Sequence, residues 1–131
     1  MNEKNPTILV VEDEIPLLEA VRIKMEKNNF LVLTARSSEQ ALNHLKDVEG
    51  IKAIWLDHYL LGKETGLDFV ARCKAEGSPF KKIPIFVVSN TASDDKVQAY
   101  LKLGVSKYYV KAEKRLDEII EEIGKSLTIN I

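Results

Sequence analysis

The chain is 131 residues long, 45% hydrophobic and 30% charged, with 19 basic against 20 acidic side chains and a formal net charge of -1. Those values suit one globular domain, large enough to bury roughly two thirds of its unfolded surface without disulfide or metal staples. They lack the basic excess of a nucleic-acid binder, and no apolar run reaches the length of a membrane span, so neither partner is expected. The opening Met1-Asn2-Glu3-Lys4-Asn5-Pro6 has no apolar signal-peptide core, which predicts a cytoplasmic protein. The single cysteine, Cys73, can form no internal disulfide and sits beside Phe69 and Val70 as a small buried hydrophobe would.

In chain order, a β-rich run over Thr7 to Val11 precedes a helical stripe of Leu17, Leu18, Val21 and Met25. A second run, Leu31 to Thr34, leads through the cap signal Ser37-Ser38 to a helix carrying Ala41, Leu42 and Leu45. The third run, Ile51 to Leu56, is followed by a helix opening at Gly66 with Phe69, Val70 and Cys73 on one side. After the fourth, Ile83 to Val88, Asp94 or Asp95 opens a helix bearing Val97, Tyr100 and Leu101, which Gly104 is placed to stop. The fifth, Lys107 to Val110, precedes a helix with Leu116, Ile119, Ile120, Ile123 and Leu127 on one face and Asp117, Glu118, Glu121 and Glu122 on the other.

Strands alternating with helices predict an α/β fold: a doubly wound five-stranded parallel sheet, flavodoxin-like, with helices on both faces. Residues 1-131 are expected to form a single domain with its core over about 6-127, while the tail from Leu127 to Ile131 packs, frays or continues an edge strand.

The third run passes from Trp55 and Leu56 straight into Asp57. Open α/β sheets bind ligands at the carboxyl ends of their strands, although a lone aspartate after a strand more often turns the chain or caps a helix. The first run ends in Glu12-Asp13-Glu14, so a 2-1-3-4-5 strand order brings these acids and Asp57 to one edge. Carboxylates that close resist ionisation unless a cation neutralises them, and Mg²⁺ suits a small all-oxygen site. The fourth run delivers Ser89 to the same edge and the fifth delivers Lys111. A carboxylate nucleophile, a metal, a hydroxyl and an ammonium are the parts of a phosphoryl-transfer site.

Taken together, Ile8-Leu9-Val10-Val11-Glu12-Asp13, Asp57 after a hydrophobic strand, Ser89, and Tyr108 with Lys111 resemble the response-regulator receiver family over essentially the whole chain. The resemblance implies that Asp57 accepts a phosphoryl group from a histidine kinase or a histidine phosphotransfer protein. It implies Mg²⁺ held by Asp13 directly, by Glu12 mainly through water, by Asp57 and by the Tyr59 main-chain carbonyl. Lys111 and Ser89 would contact phosphoryl oxygens. Ser89 and Tyr108 would then act as the switch, altering the face made by helix four, strand five and helix five, through which a downstream effector protein binds. Tyr100, Lys107, Tyr108 and the final helix are the expected contacts of that effector. A stand-alone receiver, monomeric or forming a phosphorylation-dependent homodimer, is the form implied.

Several positions depart from the family pattern. Leu61 replaces a proline four residues after the acceptor, Gly66 comes nine after it rather than eight, Asn90 replaces a small residue, and Ala112 replaces a proline that follows a cis bond. A cis bond to a non-proline residue costs roughly 3 kcal/mol, which predicts a trans Lys111-Ala112 bond. Tyr59 is expected to shield the acyl phosphate from water. His58 and His44 are expected to be ordinary surface residues, and Trp55 a core residue.

Two other classes of function compete. A phosphate-independent interaction or dimerisation module would explain the departures, though not the converging charges. A small flavin-binding or phosphatase enzyme is disfavoured because the loop Glu12-Asp13-Glu14-Ile15-Pro16 is acidic and lacks glycine, and because Tyr59 stands where a phosphatase would place a second acid.

Overall fold

The computed structural model describes residues 5–90 and 93–128. Its elements run β1 (Thr7–Val11), α1 (Ile15–Lys27), β2 (Leu31–Ala35), α2 (Ser38–Asp47), β3 (Ile51–Leu56), α3 (Gly66–Cys73), β4 (Ile85–Ser89), α4 (Asp94–Leu103), β5 (Lys107–Val110) and α5 (Leu116–Thr128). The strands form one parallel sheet in the order β2-β1-β3-β4-β5. The expected fold class is therefore the observed one, while the tail beyond Thr128 and the residue Thr91 lie outside the described residues.

Helices cover both faces of the sheet, so its central strands are mostly apolar, and alternate side chains enter opposite cores. Leu9, Val11, Ile54, Leu56, Ile85 and Val87 pack with Ala41, Leu45, Phe69, Val70 and Tyr100 on one side. Ile8, Val10, Ala53, Trp55, Phe86 and Val88 pack with Leu18, Val21, Met25, Ile119, Ile120 and Ile123 on the other. Trp55 is a core residue as expected, and its indole N–H finds no hydrogen-bond partner there. Cys73 is fully buried, and burial pushes its thiol up to about 12, which leaves too little thiolate for nucleophilic chemistry.

Local chemistry sets the element ends. Ser37 caps α2, its hydroxyl accepting from the Gln40 N–H. Thr65 caps α3 in a reciprocal box with Asp68, one residue before the expected opener Gly66. Asp94 opens α4 as expected, capped by Ser93, and Asp94 and Asp95 occupy its first turn, where they favour the helix dipole. Gly104 ends α4 in the left-handed region at φ 103°. β4 starts at Ile85 instead of Ile83 because Pro84 has no N–H for the ladder, although its carbonyl still accepts from the Ile54 N–H at 3.0 Å.

Register then positions the edge. Val11 aligns with both Ala35 and Leu56, Leu56 with Val87, and Ser89 with Val110. Ladder bonds continue one residue past the strands, from Glu12 N–H to the Ala35 carbonyl, Asp57 N–H to the Val11 carbonyl and Lys111 N–H to the Ser89 carbonyl, each 2.9 Å. The residues that follow β1, β3 and β5 thus leave the sheet at one edge with their backbones held. All peptide bonds among the described residues are trans, including Lys111-Ala112 as expected.

Candidate functional site

At that edge Lys111 bridges two buried carboxylates, its Nζ lying 3.3 Å from Glu12 Oε1 and 3.4 Å from Asp57 Oδ1. Glu12 is 2% and Asp57 5% exposed, while Ser89 is fully buried at the end of β4. The backbone also donates to both acids, Glu14 N–H to Glu12 Oε2 at 3.2 Å and Tyr59 N–H to Asp57 Oδ2 at 3.1 Å. Burial pushes the Asp57 carboxyl above its ordinary value, against the pull of Lys111. Burial, reinforced by the neighbouring Asp57 charge, does the same to Glu12. One lysine therefore shares two acids in a buried pocket that remains short of positive charge.

Asp13 is engaged elsewhere. The Arg36 guanidinium, at the end of β2, donates from Nη2 to Asp13 Oδ1 at 3.0 Å and from Nε to the Asp13 carbonyl at 3.1 Å. Accordingly, no three acidic, histidine or cysteine side chains among the described residues gather as a ready-made metal cage. Arg36 did not figure among the expected site residues. The reasoning applied to β1, β3, β4 and β5, that strand ends share an edge, extends to β2 and finds it.

The loop after β3 is reshaped around the departures noted above. Leu61 N–H donates to the Arg36 carbonyl at 2.9 Å and pairs with Ser37 as an isolated bridge, and Gly62 takes a φ of 88°. Ser38 donates to Glu64, which also carries an ion pair with Arg72. Tyr59 is 55% exposed, with Lys96 Nζ 3.1 Å from its hydroxyl and 4.9 Å from its ring centre.

The histidine expectation needs correction. His58 Nδ1 lies 2.7 Å from the Tyr100 hydroxyl, and the imidazole is half-buried, because α4 crosses directly over the loop after β3. Burial and the nearby Lys96 hold His58 below its ordinary value. His44 is likewise tied down, its Nε2 2.9 Å from the Thr34 carbonyl. Tyr100, expected on the effector surface, is fully buried, with its ring 5.7 Å from that of Tyr108. Lys107 and Leu101 are exposed on that face.

A five-stranded parallel sheet in this order, with an acid pair, an aspartate, a hydroxyl and a lysine at its carboxyl edge, defines a receiver-type signalling domain rather than a classical enzyme. The chain belongs to the family described as response regulator receiver domain, whose model matches residues 8–123. It is similar to the two-component response regulator ORR3 of Oryza sativa subsp. indica, 26% identical over 115 residues that cover 88% of this chain and 86% of that protein. It is 32% identical to the phosphate regulon transcriptional regulatory protein PhoB of Escherichia coli over 104 residues, 79% of this chain but only 44% of PhoB. Among solved structures, the phosphorylated cyanobacterial phytochrome response regulator RcpA superposes with a TM-score of 0.85 at 22% identity, covering 98% of each chain. The Mn²⁺-bound form of response regulator Rcp1 does so at 0.81 and 22%, covering 96% of each. At such identities the structural likeness carries the fold. Membership of the family makes this a two-component signalling domain, of the kind controlled by phosphorylation. No helix among the described residues is long and apolar enough to cross a membrane.

Proposed function

We propose that Asp57 accepts a phosphoryl group from a histidine kinase or a histidine phosphotransfer protein, and that this shifts the face of α4, β5 and α5 to control a downstream effector protein. The observation that carries the reading is the buried Asp57 carboxylate, oriented by the Tyr59 N–H at 3.1 Å and by Lys111 at 3.4 Å. An Asp57 oxygen forms the new O–P bond as the P–N bond of the phosphohistidine breaks, and the departing imidazole takes the electron pair. Lys111 then compensates charge on the phosphoryl oxygens, and the Ser89 hydroxyl donates to one of them.

The donor set fits Mg²⁺, being all oxygen and short of positive charge: Glu12, Asp13, Asp57 and the Tyr59 main-chain carbonyl. When bound, the ion supplies divalent charge beside the transferred group. In the switch itself, contacts of Ser89 with the phosphoryl group favour a minor conformation in which Tyr108 moves relative to Tyr100. A cytoplasmic setting and a monomer or phosphorylation-dependent homodimer accord with this reading, with the effector rather than nucleic acid or membrane as the target of this face.

Intact mass after incubation with a small acyl-phosphate donor tests the proposal. A gain of one phosphoryl group that requires Mg²⁺ and is lost in Asp57→Ala is expected; an Mg²⁺-independent gain, or none, would sink it. Tyr59 lies two residues past Asp57 with Lys96 against its ring, and its bulk is proposed to shield the acyl phosphate, so Tyr59→Ala is expected to shorten the phosphate lifetime several-fold by admitting water. An unchanged decay rate of the phosphorylated mass would refute that role.

A second reading, a phosphate-independent interaction or dimerisation module, draws support from the engagement of Asp13 by Arg36 and from Leu61, Asn90 and Ala112. Mg²⁺ binding that depends on Asp57 separates it from the first.

A further inference from the structure

We infer that Arg36 is a resident counter-cation of the acidic pocket, holding Asp13 in the metal-free state and lowering the affinity of the site for a divalent cation. This rests on the reading of Glu12, Asp13 and Asp57 as a metal site and deepens it.

Three observations carry the inference. The pocket divides its acids between two cations, Lys111 taking Glu12 and Asp57 while Arg36 takes Asp13. The two cations differ in freedom: the Lys111 side chain is 13% exposed, the Arg36 side chain 38%. Arg36 is therefore the one that can release its acid into water without leaving a buried charge unpaired. Finally, the guanidinium occupies the same Asp13 Oδ1 that a directly bound cation would take, at 3.0 Å.

A divalent ion at about 2.1 Å from that oxygen would lie close to the guanidinium, so binding must displace the Nη2 arm. The Nε bond to the Asp13 carbonyl does not compete for the carboxylate and can persist as a pivot. The backbone of Arg36 is anchored independently, its N–H donating to Gln40 Oε1 at 2.7 Å and its carbonyl accepting from Leu61 N–H at 2.9 Å. Removing the side-chain charge therefore leaves the strand end in place. By reciprocity, if Arg36 and the metal oppose each other at Asp13, deleting one strengthens the hold of the other.

Arg36 has a competing role with the opposite sign. Were it only an anchor for the loop after β1, losing it would loosen Asp13 and weaken metal binding. Calorimetric titration with MgCl₂ at low ionic strength, on wild type, Arg36→Gln and Asp13→Asn, decides between them. Partly exposed charge pairs of this kind correspond to changes of up to about fivefold in a binding constant. Arg36→Gln is expected to bind Mg²⁺ about two- to fivefold more tightly, with the gap closing as salt screens the guanidinium. Its melting temperature should fall below that of wild type without metal and approach it at saturating Mg²⁺. Equal or weaker binding by Arg36→Gln, with Asp13→Asn still impaired, would overturn the counter-cation while leaving the metal site intact. Wild type and Asp13→Asn titrating alike would overturn the metal site itself, and the inference with it.

Discussion

Gly66→Ala is expected to destabilise the fold by about 1–3 kcal/mol, the range for forcing atoms into a packed interior, and to lower the melting temperature by roughly 5–10 °C. A Cβ at this position would stand 2.6 Å from the Asp57 carbonyl oxygen, 2.6 Å from the Tyr100 hydroxyl and 3.1 Å from the His58 Cα. Two of those three atoms are backbone, and the third is held by His58 Nδ1 at 2.7 Å. The Gly66 N–H meanwhile donates to the His58 carbonyl at 2.7 Å, drawing α3 against the residues that follow β3. Relief of the clash must therefore move the start of α3 away from Asp57, so slower phosphoryl uptake should accompany the loss of stability. Gly124→Ala is the control: it lies within α5, its Cβ would meet Phe30 at an ordinary 3.4 Å, and alanine favours a helix. Thermal melts of the two variants check the argument, and a Gly66→Ala protein melting within a degree or two of wild type would refute it.

Asp57→Asn should have the opposite effect on stability while abolishing phosphoryl uptake. In metal-free buffer near pH 7.5 it is expected to be more stable than wild type, because the folded state favours the uncharged form of this group. Burial raises the Asp57 carboxyl, and the Asp57 charge helps to raise that of Glu12, so ionising Asp57 at neutral pH opposes folding. The amide removes that opposition and leaves Lys111 paired with Glu12 at 3.3 Å, so no buried charge is stranded. A carboxyl whose folded value is raised contributes most below its ordinary value of 3.8, and that contribution is lost as pH rises through the folded value. The advantage of Asp57→Asn should therefore be complete above that window and shrink on acidification toward pH 4. Half-buried Glu64 and Glu122 and exposed Asp117 behave in the reverse sense, each lowered by a basic partner and losing its contribution as pH falls. Denaturant melts of both proteins across pH provide the test, and a gap that widens with acid would contradict it.

Opposite signs at neighbouring positions reflect two demands on one edge. Gly66 lets α3 come close enough to order the loop after Asp57, which favours the fold. Asp57 keeps a charge where the fold resists one, as the proposed phosphoryl chemistry requires.

Much of this architecture was legible in residue order. Five apolar runs separated by helical stripes determine a parallel sheet covered on both faces, because side-chain period and burial are local properties that any ten-residue window carries. Strand ends are equally local, which is why Glu12, Asp57, Ser89 and Lys111 were readable as neighbours of one edge. The opening of α3 at Gly66 was readable too, and the Thr65-x-x-Asp68 box caps it from the residue before.

What the tertiary structure alone decided are pairings between side chains far apart in the chain. Lys111 meets Glu12 across 99 residues, His58 meets Tyr100 across 42 and Arg36 meets Asp13 across 23. Local periodicity places a residue on a face or at an edge. It does not say which cation neutralises which acid, or that a histidine beside Asp57 turns toward a buried tyrosine of α4. Those choices depend on helix crossing, loop length and the distances between side-chain tips, which exist only once the layers have packed.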